Sequence, residues 1–172
     1  DRPFTLALPA AWDVTTHWPE TPLPLTDAQI ADAFERPGGA PPIRELARGR
    51  KRPVIVVDDR NRPTPVPRVM PVLLRHLRAA GIAARDVTIV VASGTHAPPS
   101  TDAIRTKVGA EAAAECRLHA HDSRSADVVS LGRTSFGTPI LVDGVVARAD
   151  LVIGVGGVYP NHTAGFGGGT KL

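Results

Sequence analysis

The sequence predicts an α/β protein, a Rossmann-like parallel sheet with flanking helices. Three observations carry this. Val54-Ile55-Val56-Val57 is an unbroken β-branched run, as expected of a strand buried on both faces. Apolar residues at Val69, Val72, Leu73, Leu77 and Ala80 then recur at helical spacing, and Gly81 follows as a natural stop. A second buried run at 87–92 leads to a helix expected to start after the cap Ser100 and run towards Glu115, so the alternation is β-α-β-α.

The remaining elements follow in order. Residues 1–36 are rich in proline and read as an arm, with an opening strand at 4–8 and a short helix near 27–34, closed by the Pro37-Gly38-Gly39 break. Short strands are expected at 117–121 and 140–142, and a strongly apolar one at 151–155 runs into Gly156-Gly157. In open sheets of this kind ligands sit beyond the carboxyl ends of the strands. Here those ends carry Asp58-Asp59, Gly94-Thr95-His96 and the segment from Gly156 onward.

Composition narrows the partners. With 172 residues and 42% hydrophobic content the chain can bury one sizeable core. The net charge is +3 and the basic residues, mostly arginine, are interleaved with acids, which describes a solvated surface. Aromatic content of 4% and the lack of a long basic run argue against nucleic acid. A single cysteine, Cys116, makes no internal disulfide, and no apolar run approaches the roughly 20 residues of a membrane span. A cytoplasmic protein without membrane partner is the expectation. Because the sequence stops at Leu172 straight after a glycine run, a piece of a longer protein is also expected.

Three stretches hold chemistry. In Asp58-Asp59-Arg60-Asn61-Arg62-Pro63-Thr64-Pro65 a carboxylate pair and a guanidinium sit on a proline-stiffened loop, where Arg62 suits a substrate carboxylate. The plainer alternative is that Asp59 and Arg62 pair and cap the loop. Gly94-Thr95-His96 puts an imidazole on a tight turn, where it can act as a general base. Tyr159 to Lys171 gathers four glycines around Phe166, so backbone can approach a ligand closely, and a phosphate-bearing ligand is the natural suspect. Spacing excludes a P-loop, because Thr170 precedes and Leu172 follows Lys171. It also excludes the dinucleotide fingerprint, because Tyr159 and Thr170 stand where its third glycine belongs. His119, His121 and Cys116 are close in sequence, but three ligands without a fourth make structural roles the better reading.

The ordered motifs DDRNRPTP, ASGTHAPP, HAHD, LGRTSFGTP and ADLVIGVGGVYPNHTAGFGGGTK resemble the amino-terminal domain of the lactate racemase family, over about residues 37–172. The resemblance implies a racemase or epimerase of a 2-hydroxyacid, lactate or a relative, working by hydride transfer. It implies a nickel-pincer nucleotide, a pyridinium thioamide/thiocarboxylate mononucleotide, tethered through the lysine that matches Lys171. By the same resemblance His96 is an acid/base histidine, Arg62 orients substrate, and Asp59 lies beside the cofactor, as do Gly94, Thr95, Gly168 and Gly169. The family's second histidine falls at Asn161, with His162 one place later, so the second face is served by His162 or another group. Asn61 and Ala97 replace a threonine and an arginine usual in the family. No metal ligand is expected in this chain: the nickel-binding histidine lies downstream, as does a second domain that closes the cleft. Partners implied are the hydroxyacid and pincer-synthesis enzymes. The alternatives are a non-catalytic relative that binds a nucleotide or hydroxyacid, and a hydroxyacid oxidoreductase.

Overall fold

A computed structural model describes residues 5–18, 20 and 22–169. Four strands form a parallel sheet: β1 (Pro53–Asp58), β2 (Thr88–Ala92), β3 (Arg117–Ala120) and β6 (Leu151–Val155), in the order β3-β2-β1-β6. β1 is central. Its Val56 aligns with Val90 of β2 and with Gly154 of β6.

Burial on both faces explains why β1 and β2 are continuous apolar runs. Ile55 and Val57 of β1, with Ile89 and Val91 of β2, pack under α3 (Val66–Ala79), whose Leu73, Leu74 and Leu77 are fully buried. Each such leucine contributes about 1.5–3 kcal/mol relative to exposure. Val54, Val56 and Val90 point the other way, against Val145 and Val146 of the short α6 (Gly144–Ala147). Helices α4 (Thr101–Val108) and α5 (Ala110–Glu115) complete the first layer.

Several sequence expectations need correction. The opening strand at 4–8 does not form over its described residues 5–8, which are exposed and irregular because no strand offers them backbone partners. The helix expected to run to Glu115 breaks at Gly109, whose φ of +90° is left-handed, so it becomes two. The strand at 140–142 is not part of the parallel sheet. It belongs to β5 (Pro139–Asp143), which pairs antiparallel with the unforeseen β4 (Val128–Arg133). The short helix near 27–34 is α1 (Asp27–Glu35), opened by a Thr26–Gln29 capping box and packed on α3, while α2 (Ile43–Leu46) precedes β1. No helix among the described residues is long and apolar enough to cross a membrane.

Candidate active site

The chain runs outward from β1 to β2 to β3, then returns to the other side of β1 with β6. That reversal opens a crevice at the carboxyl ends of β1, β2 and β6, the position where doubly wound sheets bind ligands. The cleft found there encloses about 290 Å³, and its walls include Asp59, Arg62, Thr95, His96, Tyr159 and Gly168.

Two tight turns deliver its polar groups. After β1 the Arg62 amide donates to the Asp59 carbonyl (2.9 Å). After β2 the His96 amide donates to the Ser93 carbonyl (3.0 Å), with Gly94 at φ +58° making the reversal. These turns bring the Asp59 carboxylate to 2.8 Å from His96 Nδ1. Asp59 therefore pairs with His96 rather than with the Arg62 side chain. Burial alone would raise the Asp59 pKa, but hydrogen bonds from His96 and Asn61 outweigh it and hold the carboxyl below its ordinary value. An ionised Asp59 can only accept, so Nδ1 carries a proton, and in the neutral ring Nε2 is the nitrogen with the lone pair. The His96 side chain is 64% exposed and lines the cleft. The Arg62 guanidinium lies over the Tyr159 ring, 5.4 Å from its centroid, where the cation is attracted to the π face.

Below them is a buried pair that the sequence reading missed. Lys107 Nζ lies 2.7 Å from Asp58 Oδ1, both side chains 6% exposed, an ion pair rather than a well-aligned hydrogen bond. Nζ also donates to the Arg62 carbonyl at 2.9 Å. Asp58 Oδ2 accepts from the Thr64 hydroxyl and, at 3.4 Å, from the Gly157 amide. The available signal was Lys107 itself, which lies between Ile104 and Val108 on the buried face of α4. Burying an ammonium costs several kcal/mol unless it is compensated, so a lysine on an apolar stripe implies a carboxylate beneath it.

The third wall is a hairpin, β7 (Tyr159–Asn161) paired with β8 (Gly165–Gly167). The Tyr159 ring covers Gly167, where a Cβ would come within 2.8 Å of the ring. Gly168 lies so close to Gly157 that a Cβ there would reach 1.8 Å from the carbonyl oxygen. Both contacts require glycine. Asn161 and His162 do not line the cleft. Asn161 Oδ1 accepts from the Thr163 amide, the Thr163 hydroxyl and the Ala164 amide, so that side chain caps the hairpin turn on which His162 stands exposed. Gly169 is described but lies off the cleft wall, and Lys171 lies outside the described residues.

His119 and His121 are on β3 and just beyond it. His119 Nε2 and His121 Nδ1 each approach Asp143 Oδ2 at 2.9 Å. Cys116 is not with them as a ligand: burial, then Glu115, pushes its thiol up to about 11, which keeps it protonated. No cluster among the described residues is suited to hold a metal ion.

The chemistry of the cleft wall suits an anionic group: Gly94 and Gly168 line it without side chains, and Arg62 supplies a cation.

These features define a class first: an α/β domain with an aspartate-oriented histidine and an arginine in a crevice at the switch point of a parallel sheet. The family follows, since the description of lactate racemase N-terminal domains matches residues 1–172 and the chain belongs to that family. It is 33% identical over 143 residues to a lactate racemase of Lactiplantibacillus plantarum, covering 83% of this chain and 34% of that protein. Against a lactate racemase of Thermoanaerobacterium thermosaccharolyticum the identity is 31%, covering 83% of this chain and 33% of that protein. The chain thus spans about a third of the length of the curated relatives it matches. The apoprotein structure of a lactate racemase from T. thermosaccharolyticum superposes with a TM-score of 0.78 at 29% identity, covering 84% of this chain and 35% of that one. A crystal structure from Thermotoga maritima superposes at 0.65 and 20% identity, covering 83% of this chain and 36% of that one, a likeness of fold alone.

Proposed function

We propose that the chain is the front domain of a 2-hydroxyacid racemase or epimerase. Residues 37–172 would form the catalytic unit, residues 1–36 an arm on it, and a further domain would close the cleft. The relatives' greater length supports the further domain. The observation that carries the chemical reading is the Asp59–His96 pair, which leaves a basic nitrogen facing a cleft that also holds Arg62.

The residues divide the work as follows. Arg62 grips the substrate carboxylate, and its seat over Tyr159 limits where the guanidinium can go. His96 Nε2 takes the proton from the substrate hydroxyl and later returns it, while Asp59 fixes the tautomer and stabilises the imidazolium. When bound, a nickel-pincer nucleotide supplies a reversible acceptor for the hydride at C2, with Lys171 as its tether and Gly94, Thr95, Gly168 and Gly169 as the backbone around it. With Asn161 committed to its turn, the acid/base group on the second face is His162 or a group outside this chain. Such a protein works in the cytoplasm, downstream of pincer-synthesis enzymes.

The test uses the full-length protein co-expressed with pincer-synthesis enzymes and nickel. Given one enantiomer of lactate deuterated at C2, it should yield the other with the label largely retained, and the peptide containing Lys171 should carry added mass. Turnover with an unmodified Lys171, or loss of the label to solvent, refutes the hydride reading. Accumulating ketoacid indicates an oxidoreductase. Binding of hydroxyacid without turnover indicates a non-catalytic relative, which the loss of a base at Asn161 favours as the second reading.

A further inference from the structure

Lys107 is an unexpected residue for the buried face of α4, where a methionine would satisfy the stripe formed with Ile104 and Val108. What the charge adds is connectivity. Through Asp58 Oδ1 at 2.7 Å and the Arg62 carbonyl at 2.9 Å, the ammonium holds α4 against both the end of β1 and the loop that follows it. The other Asp58 oxygen takes the Thr64 hydroxyl at the far end of the same loop and the Gly157 amide of the chain leaving β6. The loop between these anchors carries Asp59 and Arg62, and the Gly157 segment carries Tyr159, the platform under Arg62.

We propose that Lys107 and Asp58 are positioning residues that hold the Arg62 loop and the Tyr159 platform in mutual register, and so set the affinity for the substrate carboxylate. The role of Arg62 in that clause rests on the hydroxyacid reading above. Neither side chain needs to touch substrate. If the pair served stability alone, its replacement by uncharged groups would be harmless, since buried ion pairs are commonly exchanged for apolar packing without loss. The hydrogen bond to the Arg62 carbonyl is what no apolar replacement of Lys107 supplies.

The experiment compares Lys107→Met, Asp58→Asn/Lys107→Met and Thr64→Val in the full-length protein. Three quantities are read: melting temperature, KM against kcat for the hydroxyacid, and the NMR position of Arg62 Hε, which the Tyr159 ring shifts. Lys107→Met should lower the melting temperature, because Asp58 keeps a buried charge without its counter-charge. The double variant should recover most of that loss yet keep a KM raised about tenfold or more, with kcat changed less and the Arg62 signal displaced from its native position. Thr64→Val, which loosens the same anchor without moving a charge, should shift the Arg62 signal in the same direction and raise KM less. It carries the test if the charge variants fail to fold. A double variant with native melting, native KM and a native Arg62 signal overturns the proposal. If the wild-type protein isomerises no hydroxyacid, the reading of function fails but the Arg62 signal still decides: displaced in the double variant, the positioning claim stands, and unmoved, it falls.

Discussion

Asp59 and Asp143 each meet imidazole, one just past β1 and the other at the end of β5. At Asp59 one histidine approaches, through Nδ1, and its ring stands 64% exposed over the cleft. At Asp143 two histidines converge on the same oxygen, and their rings are 34% and 20% exposed. The other Asp143 oxygen caps α6 through the Val145 amide. The ionic chemistry is the same in both places. What differs is what surrounds the rings. His96 stands open in a cleft shared with Arg62 and Tyr159, whereas His119 and His121 are partly buried and share one oxygen of an aspartate whose other oxygen caps α6. An aspartate–histidine contact is therefore chemical or architectural according to the exposure of the ring and the groups beside it, not according to its bond length.

The largest effect that could break this contrast is at His96. His96→Gln should lower turnover by about 10²–10⁴-fold, the usual contribution of a positioned acid/base, with the melting temperature nearly unchanged. A chiral assay and a thermal melt on the same sample decide it. Next comes Asp59→Asn, which leaves the shape but frees the tautomer. Turnover should fall by about tenfold or more, equivalent to about 1.4 kcal/mol of barrier, yet less than for His96→Gln. On the architectural side, Asp143→Asn should leave turnover within about twofold while stability drops by about 1–3 kcal/mol in a denaturant titration, the range for a lost buried acceptor. A large loss of turnover there would erase the distinction.

The smallest effect is in pH. Burial works against the charge of Asp143, but the hydrogen bonds from His121 and His119 win and hold its pKa below the ordinary value, as they do for Asp59 with His96. A depressed carboxylate pKa stabilises the fold above the unfolded pKa, and that stability is lost as pH falls through the folded one. Stability should therefore be level with respect to these groups near neutrality and fall in acid, below about pH 4. Asp143→Asn should flatten part of the acid slope, read from denaturant midpoints across the acid range.

The parts of the fold legible in sequence are those where burial dictates pattern. β1, β2 and α3 are readable because both faces of the strands and one face of the helix exclude water, and β6 because its run is apolar although one face is exposed. β4 was not, since most of its residues are exposed and its alternation carries no apolar signal. The break at Gly109 was hidden inside a run of helix formers, and there the close approach of Pro67, 3.1 Å from where a Cβ would stand, comes from tertiary packing. In the site, Asp59, Arg62 and His96 could be named because they follow buried strands. Their grouping could not, because Asp59 and His96 are 37 residues apart and meet only through parallel pairing of β1 with β2. Asn161 stands where the resemblance expects a base, although an Asn two residues before Thr in a turn that ends at glycine also reads as a side-chain cap, which is where its oxygen is spent.

The glycine contacts of the β7–β8 hairpin give the crevice two mechanically unlike halves. The half bearing Asp59 and His96 is bolted to the core and changes only if the sheet changes. The half made by Tyr159, Gly167 and Gly168 is a surface flap shaped by ring-on-backbone packing, and residues in its turn can be exchanged without disturbing the sheet. Selectivity can thus be retuned at Tyr159, the hairpin side chain on the cleft wall, and an engineer seeking it would begin there.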